Sequence, residues 1–209
     1  VEAVDLCAAP GGKSLELARR MPPEATLRAN DRSRARLGRL RRVLETHLPA
    51  ELLSRVETTG HDAALWGSRR PGSADAVLCD VPCSSERHVL SSPTHLADWN
   101  ENRITRLSKQ AVGILASGFD ALRPGGLLVY ATCALSPREN DAVVERLLQR
   151  RAPAAVPDIP GPEELREIFA GMLPPEALEP TSYGHHILPD RADGGGPIYF
   201  ARLRKAEEL

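Results

Sequence analysis

Residues 1–14, VEAVDLCAAPGGKS, run from a short apolar, strand-like stretch through a glycine pair into the start of a helix. That order decides the fold, because a strand that feeds a helix through a tight glycine turn opens a parallel α/β unit. The alternation repeats downstream. ATLRAND (25–31) precedes a helix from about Ser33, and SRVETT (54–59) and ADAVLCD (74–80) read as the third and fourth strands. A helix covers roughly Glu101 to Leu122, and GGLLVYATC (125–133) leads into another from about Pro137. A mostly parallel sheet with helices on both faces follows, whose central strands should be apolar throughout, as Ala76 to Cys79 and Leu127 to Ala131 are. Leu37, Leu40, Leu44 and Leu48 give the helix after Ser33 one apolar face. Beyond Arg151, PAAVPDIPGPEE (153–164) reads as an irregular excursion, and YGHHILP (183–189) with PIYFARLR (197–204) as a closing antiparallel hairpin on the same sheet.

Composition narrows the function classes. A chain of 209 residues with 42% hydrophobic and 26% charged residues suits one domain around one sizeable core. No apolar run approaches the ~20 residues of a membrane span, so no membrane partner is expected. Four cysteines are too sparse for a disulfide scaffold and read as reduced thiols. A net charge of -1 gives no overall pull toward nucleic acid, and 4% aromatic residues argue against modules that stack bases on aromatic platforms. The basic residues are unevenly spread, however. Between Arg28 and Arg42 lie seven arginines (28, 32, 34, 36, 39, 41, 42) against the single acid Asp31, and a phosphate-binding track and a solvated helix face are equal readings of them. The chain opens inside a strand without an initiator Met, so an upstream segment is expected to be missing.

Three loops follow strands and carry the unusual residues: CAAPGGKS (7–14), DVPCSSERH (80–88) and TCALSPREN (132–140). In open α/β sheets, ligands bind outside the carboxyl ends of the strands, where all three loops must lie. Gly11 and Gly12 let the backbone approach a nucleotide-like cofactor at the positive end of a helix. Gly12-Lys13-Ser14 also matches the tail of a P-loop, with Asp80 as a magnesium-holding acid, but the leading glycine of that motif is replaced by Cys7. A nucleotide hydrolase is therefore one alternative. Asp31, ending the second strand, suits the two ribose hydroxyls of an adenosine; Asp62 suits its amino group; Arg36 suits a cofactor carboxylate or Asp31 itself. The bland readings are caps and turns for the acids and a solvated face for Arg36.

The sharper constellation is Asp80-Val81-Pro82-Cys83 with Thr132-Cys133, which neighbouring strands would bring to one cleft mouth. Zinc fits poorly: Cys79 lies within a strand, its spacing to Cys83 is wrong, and no paired Cys or His motif lies nearby, so no metal is expected. His185 and His186, adjacent in a strand, face opposite sides and read as structural. A thiolate beside a methyl donor has a specific use. The C5 carbon of a pyrimidine is too weak a nucleophile to take a methyl group directly, but a thiolate added at C6 makes the ring an enamine that can. An acid near N3 stabilises the developing charge, and a base must later remove the C5 proton so that the thiol leaves. Amine-methylating loops carry an aromatic where Cys83 stands, which moves the reading from nitrogen to carbon. The residues alone do not order the two thiols.

In combination, DLCAAPGGKS (5–14), DVPCSS (80–85) and TCALSPRENDAVV (132–144) resemble the Nol/Nop/Sun (Fmu-type) RNA cytosine-C5 methyltransferases, from Val1 to about Arg151, with an echo in GGGPIYFARLRK (194–205). The resemblance implies a Rossmann-like class I AdoMet-dependent methyltransferase fold, as a single catalytic domain over 1–209. It implies methyl transfer from S-adenosyl-L-methionine to C5 of cytosine in rRNA or tRNA. It assigns Cys133 as the nucleophile that attacks C6, Cys83 as the release partner, and Asp80 as the acid facing both cofactor and base. It implies AdoMet contacts from Cys7, Ala8, Ala9, Pro10, Gly11, Gly12, Lys13, Asp31, Arg36 and Asp62. DVPCSSERH and the ending ILPD...GGGPIYF look most like the mitochondrial branch, implying a mitochondrial location, with the cytoplasm as the default otherwise. Two departures stand out: Ala63 occupies a position where that branch often has Gly, and the upstream segment that helps hold RNA is not present. They keep open a noncatalytic AdoMet-fold RNA-binding or scaffold subunit, and they leave room for a protein partner that targets the RNA. Arg87 and His88 are expected to meet the target nucleotide.

Overall fold

The computed structural model describes residues 1–85 and 100–207. Strand β1 (Glu2–Asp5) turns into helix α1 (Gly12–Arg20), and β2 (Thr26–Asn30) leads through a Ser33 cap into α2 (Arg34–His47) and the short α3 (Ala50–Leu53). After β3 (Val56–Thr59), single turns at Ala63–Leu65 and α4 (Trp66–Arg69) precede β4 (Ala74–Asp80). The long α5 (Glu101–Ala121) runs directly into β5 (Leu122–Thr132), followed by α6 (Asp141–Arg151), β6 (Ala155–Pro157) and α7 (Pro162–Ile168). Strands β7 (Leu178–Pro180), β8 (His185–Ile187) and β9 (Ile198–Lys205) close the chain.

The sheet order is β3-β2-β1-β4-β5-β9-β8-β7, with β6 also paired to β9. Strands β1 to β5 pair in parallel, and β9 runs antiparallel to β5. The Rossmann-like methyltransferase architecture expected from the sequence is therefore the one observed. Because the order reverses between β1 and β4, the loops leaving β1, β4 and β5 open side by side at the carboxyl edge, where such sheets bind ligands. Asp80 pairs in register with Ala131, so the two cysteine loops start from adjacent rungs.

Alternation along β1 explains the two cores. Val4 and Leu6 face a cluster with Val77, Cys79, Leu115 and Phe119, whereas Ala3 faces Leu27, Leu40 and Leu44 beneath α2. The expected apolar face of α2 is present: Leu40, Leu44 and Leu48 are buried and Leu37 packs at the edge. The side chain of Asn100 caps α5 by accepting from the Arg103 N–H. Gly118 lets that helix lie close on the sheet, since a Cβ there would sit 2.8 Å from Cys79 Sγ and 3.1 Å from Leu6 Cδ1.

Two expectations need correction. The helix expected from Pro137 starts at Asp141, because residues 137–140 form turns in which the Glu139 and Asn140 side chains are committed to the cysteine loops and Arg138 reaches Thr105 of α5. The stretch after Arg151 is not irregular. It holds β6, α7 with Pro162 in its first turn, and β7, which widens the expected hairpin to three strands. The proline-rich composition hid them, since β6 takes its hydrogen bonds from Leu203 to Lys205, some fifty residues on. Pro157 is tolerated because β6 is short and lies off the main strand path.

Candidate active site

The turn after β1 is built by its own residues. Gly11 caps α1 with φ of 121°, a region side chains rarely enter, and a Cβ there would press on Leu40 and Val43 at 3.1 to 3.3 Å. Below it, the buried Ser14 hydroxyl donates to Asp5 Oδ2 at 2.6 Å. Burial pushes the Asp5 carboxyl up to about 6, and its Oδ1 accepts no hydrogen bond. The Ala8 N–H donates to the Asn30 carbonyl at 2.8 Å, and Ala8 and Ala9 pack into the core under α2. Pro10 and Gly12 are exposed at the surface of the turn, and Lys13 reaches Asp80 Oδ2 at 2.8 Å. Lys13 and Ser14, the tail of the P-loop-like pattern, are thus engaged by Asp80 and Asp5.

A cavity of about 310 Å³ opens beside this turn, lined among others by Cys7, Asp31, Ser33, Arg36, Asp62 and Pro82. Asp31 is 3% exposed. Its Oδ1 accepts from the Ser33 N–H at 2.9 Å, while Oδ2 accepts no hydrogen bond and lies 3.3 Å from the Arg36 guanidinium. Arg36 also donates to the Ala9 carbonyl at 2.5 Å, tying α2 to the glycine turn. Asp62 caps the following turn by accepting from Ala64 N–H at 3.0 Å, with Arg32 at 3.8 Å from its other oxygen. Both acids therefore cap a turn and line the cavity at once, so the bland and the functional readings coexist. Of the seven arginines, Arg28 pairs with Glu2 and Glu57, Arg36 with Asp31, Arg32 with Asp62, and Arg41 donates to Thr58; Arg32, Arg34, Arg39, Arg41 and Arg42 are exposed.

The two loop cysteines meet. Cys83 Sγ and Cys133 Sγ lie 2.9 Å apart, and the Cys133 N–H points at Cys83 Sγ at 3.4 Å. Cys7, Cys79, Cys83 and Cys133 are all free thiols. The contact from Cys83 lowers the Cys133 thiol to about 6; burial opposes the shift and the Ser85 hydroxyl assists it. The same contact together with burial pushes the half-buried Cys83 thiol upward. Two sulfurs in contact share one proton, and it favours the more buried partner, which favours the thiolate on the exposed Cys133. Asp80 stands at the end of β4 between this pair and the glycine turn, held by Lys13.

Two residues that sequence reasoning missed brace the pair from behind. Glu139, 1% exposed, accepts from the Ser84 N–H at 2.9 Å through Oε1 and from the Ser84 hydroxyl through Oε2, while the Tyr130 hydroxyl donates to its carbonyl at 2.5 Å. Asn140 accepts from Thr132 Oγ1 at 2.6 Å and donates to the Ala134 carbonyl at 3.0 Å, so it spans Cys133 on both sides. The signal was a run of polar residues, SPREN, placed where a helix start also explains them. His186 Nε2 lies 2.9 Å from Asn140 Nδ2, whereas His185 stacks on Phe200, so the two histidines face opposite sides. Glu139→Leu removes both acceptors and leaves the buried Ser84 N–H and hydroxyl without a partner, which should cost about 2 kcal/mol. Thermal unfolding checks this: a fall in melting temperature of roughly 4–8 °C is expected, and an unchanged melting temperature would remove the brace.

Among the described residues, no group of three or more His, Cys, Asp or Glu is arranged to hold a metal ion, and no helix is long and apolar enough to cross a membrane. Arg87 and His88 lie outside the described residues.

Residues 2–204 match the model of the family described as 16S rRNA methyltransferase RsmB/F. The chain belongs to the RsmB/F family. Its RsmB/F relatives include the mitochondrial tRNA (cytosine(34)-C(5))-methyltransferase of Danio rerio, 36% identical over 97% of this chain and 54% of that protein. Ribosomal RNA small subunit methyltransferase F of Aeromonas salmonicida is likewise 36% identical, over 97% of this chain and 40% of its own length. The crystal structure of PH0851 superposes with a TM-score of 0.80 at 25% identity, over 98% of this chain and 42% of that one. The chain thus spans about half the length of the curated relatives it matches.

Proposed function

We propose that residues 1–209 form one catalytic domain that transfers a methyl group from S-adenosyl-L-methionine to C5 of cytosine in rRNA or tRNA, through a covalent bond between Cys133 and C6. The observation that carries this reading is the thiol pair, 2.9 Å apart beside Asp80 at adjacent strand ends. Cofactor chemistry fits the neighbouring cavity: the buried Asp31 Oδ2 lacks a hydrogen-bond donor and is suited to a ribose hydroxyl, and Asp62 lines the same space for an amino group. Arg36 holds Asp31 in place, and Cys7 and Pro82 form part of the wall. Bound AdoMet supplies a sulfonium methyl group as electrophile.

The chain's own residues do the rest. The Cys133 thiolate forms a bond to C6, and the C5–C6 π pair shifts so that C5 becomes nucleophilic. Asp80 meets the N3 side and relays a proton from the paired Lys13 ammonium to N3 as C6 is attacked, taking it back on release, so the charge that builds there is neutralised. A base then takes the C5 proton, the sulfur–C6 bond breaks and Cys133 departs as thiolate, with Cys83 as the partner in that release. The target base leaves its stack to reach the cleft. The names of the relatives support rRNA and tRNA equally, at 36% identity each. A mitochondrial location rests on the motif resemblance and on the name of the Danio rerio relative.

The test is incubation with methyl-labelled AdoMet and either rRNA or tRNA, read by nucleoside mass spectrometry. Labelled 5-methylcytidine is expected. Label on a ring nitrogen, or AdoMet binding without transfer in a chain of the relatives' full length, would replace this reading with nitrogen methylation or a scaffold role.

A further inference from the structure

The geometry points to Ser85 as a third catalytic group of the thiol pair, its hydroxyl donating to the Cys133 sulfur and holding it ready to attack. This deepens the reading above and rests on Cys133 being the nucleophile. Ser85 Oγ lies 3.2 Å from Cys133 Sγ and 3.6 Å from Cys83 Sγ, so one hydroxyl serves both sulfurs. Its backbone has φ of 56°, a left-handed conformation that a serine enters only when its surroundings impose it. What imposes it is visible one residue earlier. Both the N–H and the hydroxyl of Ser84 are held by the buried Glu139, which fixes the chain just before the strained residue and aims Ser85 at the sulfurs.

A neutral donor solves an electrostatic problem here. Among the described residues, the charged groups facing Cys133 are Asp80 at the end of β4, which disfavours a second negative charge, and Lys13 on α1, which favours it but is committed to Asp80 at 2.8 Å. Cys83 supplies one hydrogen bond from the other loop, and the Ser85 hydroxyl supplies a second without adding a charge that a polyanionic substrate would have to meet. No proton leaves Ser85 in this role. When the sulfur bonds to C6 its lone pair is consumed, and the same hydroxyl is free to turn toward Cys83.

The experiment measures iodoacetamide alkylation of Cys133 against pH, by peptide mass spectrometry, in the wild type, Ser85→Ala and Ser85→Gly. Alanine removes the hydroxyl and keeps the backbone strain; glycine removes it and adopts the same φ freely. Both variants should move the alkylation midpoint up by about one pH unit, slowing the reaction near pH 6 about five-fold. A midpoint unchanged in both variants overturns the proposal, and so does a shift in Ser85→Ala alone, which would trace the effect to the backbone. The underlying assignment fails separately: if wild-type Cys133 alkylates no faster than Cys83 at pH 7, it is the order of the two thiols that is wrong, whatever the Ser85 variants do.

Discussion

Alanine at Cys133 should abolish methyl transfer to RNA while leaving the fold unchanged. The sulfur is exposed, and the residues on either side, Thr132 and Ala134, are held by Asn140 and not by the thiol. Removing it therefore takes nothing from the core, and the change in unfolding free energy should stay within about 0.5 kcal/mol. The chemical loss is of another size. Without a thiolate to add at C6, the C5 carbon keeps its aromatic electrons and has too little nucleophilicity to displace a sulfonium. A loss of at least about 10³-fold, or roughly 4 kcal/mol at the barrier, is expected. Labelled-methyl transfer together with a melting curve measures both halves. Activity within tenfold of wild type in a normally folded Cys133→Ala protein would end the covalent mechanism.

How much of this was legible in the sequence depends on how local each feature is. The turn at Gly11, the leucines of α2 and the doubly apolar strands are short-range patterns, and from them the parallel sheet and its binding edge could be read. The cavity acids were legible for the same reason: Asp31 and Asp62 each end a strand or loop and cap the next turn, a local geometry that also places them on the cavity wall. Strand β6 was hidden because its ladder partners lie far along the chain and its composition resembles a linker. Glu139 was hidden for a related reason. Its importance lies in two bonds to Ser84 across fifty-five residues, and nothing local distinguishes it from a surface glutamate before a helix. Ser85 carries its information in a backbone angle, which no residue pattern reports. The arginine cluster stays open between its two readings: Arg28, Arg32, Arg36 and Arg41 reach acids or hydroxyls on β1, β3 and the cavity wall, yet Arg32, Arg34, Arg39, Arg41 and Arg42 are exposed, and density along the sequence does not separate a phosphate track from a solvated face.

Alanine at Cys83 should have the opposite signature to alanine at Cys133: bond formation to RNA persists and release fails. Cys83 is half-buried and holds the proton of the shared pair, so its loss removes one of two hydrogen bonds to the Cys133 sulfur and leaves the one from Ser85. The nucleophile is weakened but present. What disappears is the thiol that partners release, so each enzyme molecule should stall after one round. On a denaturing gel this appears as a protein–RNA species absent from the wild type, with steady-state turnover down by about 10²-fold or more while a single round of methylation remains detectable. The pH dependence follows from the same hydrogen bond. Cys83 lowers the Cys133 thiol, so its removal returns that thiol toward the ordinary value near 8.5, and adduct formation should move to higher pH in Cys83→Ala. Adding Cys133→Ala to Cys83→Ala must abolish the adduct, because the sulfur that forms it is gone. If Cys83→Ala accumulates no adduct at any pH up to about 9, then Cys83 is not the release partner; if the doubly substituted protein still forms one, the bond to RNA does not run through Cys133.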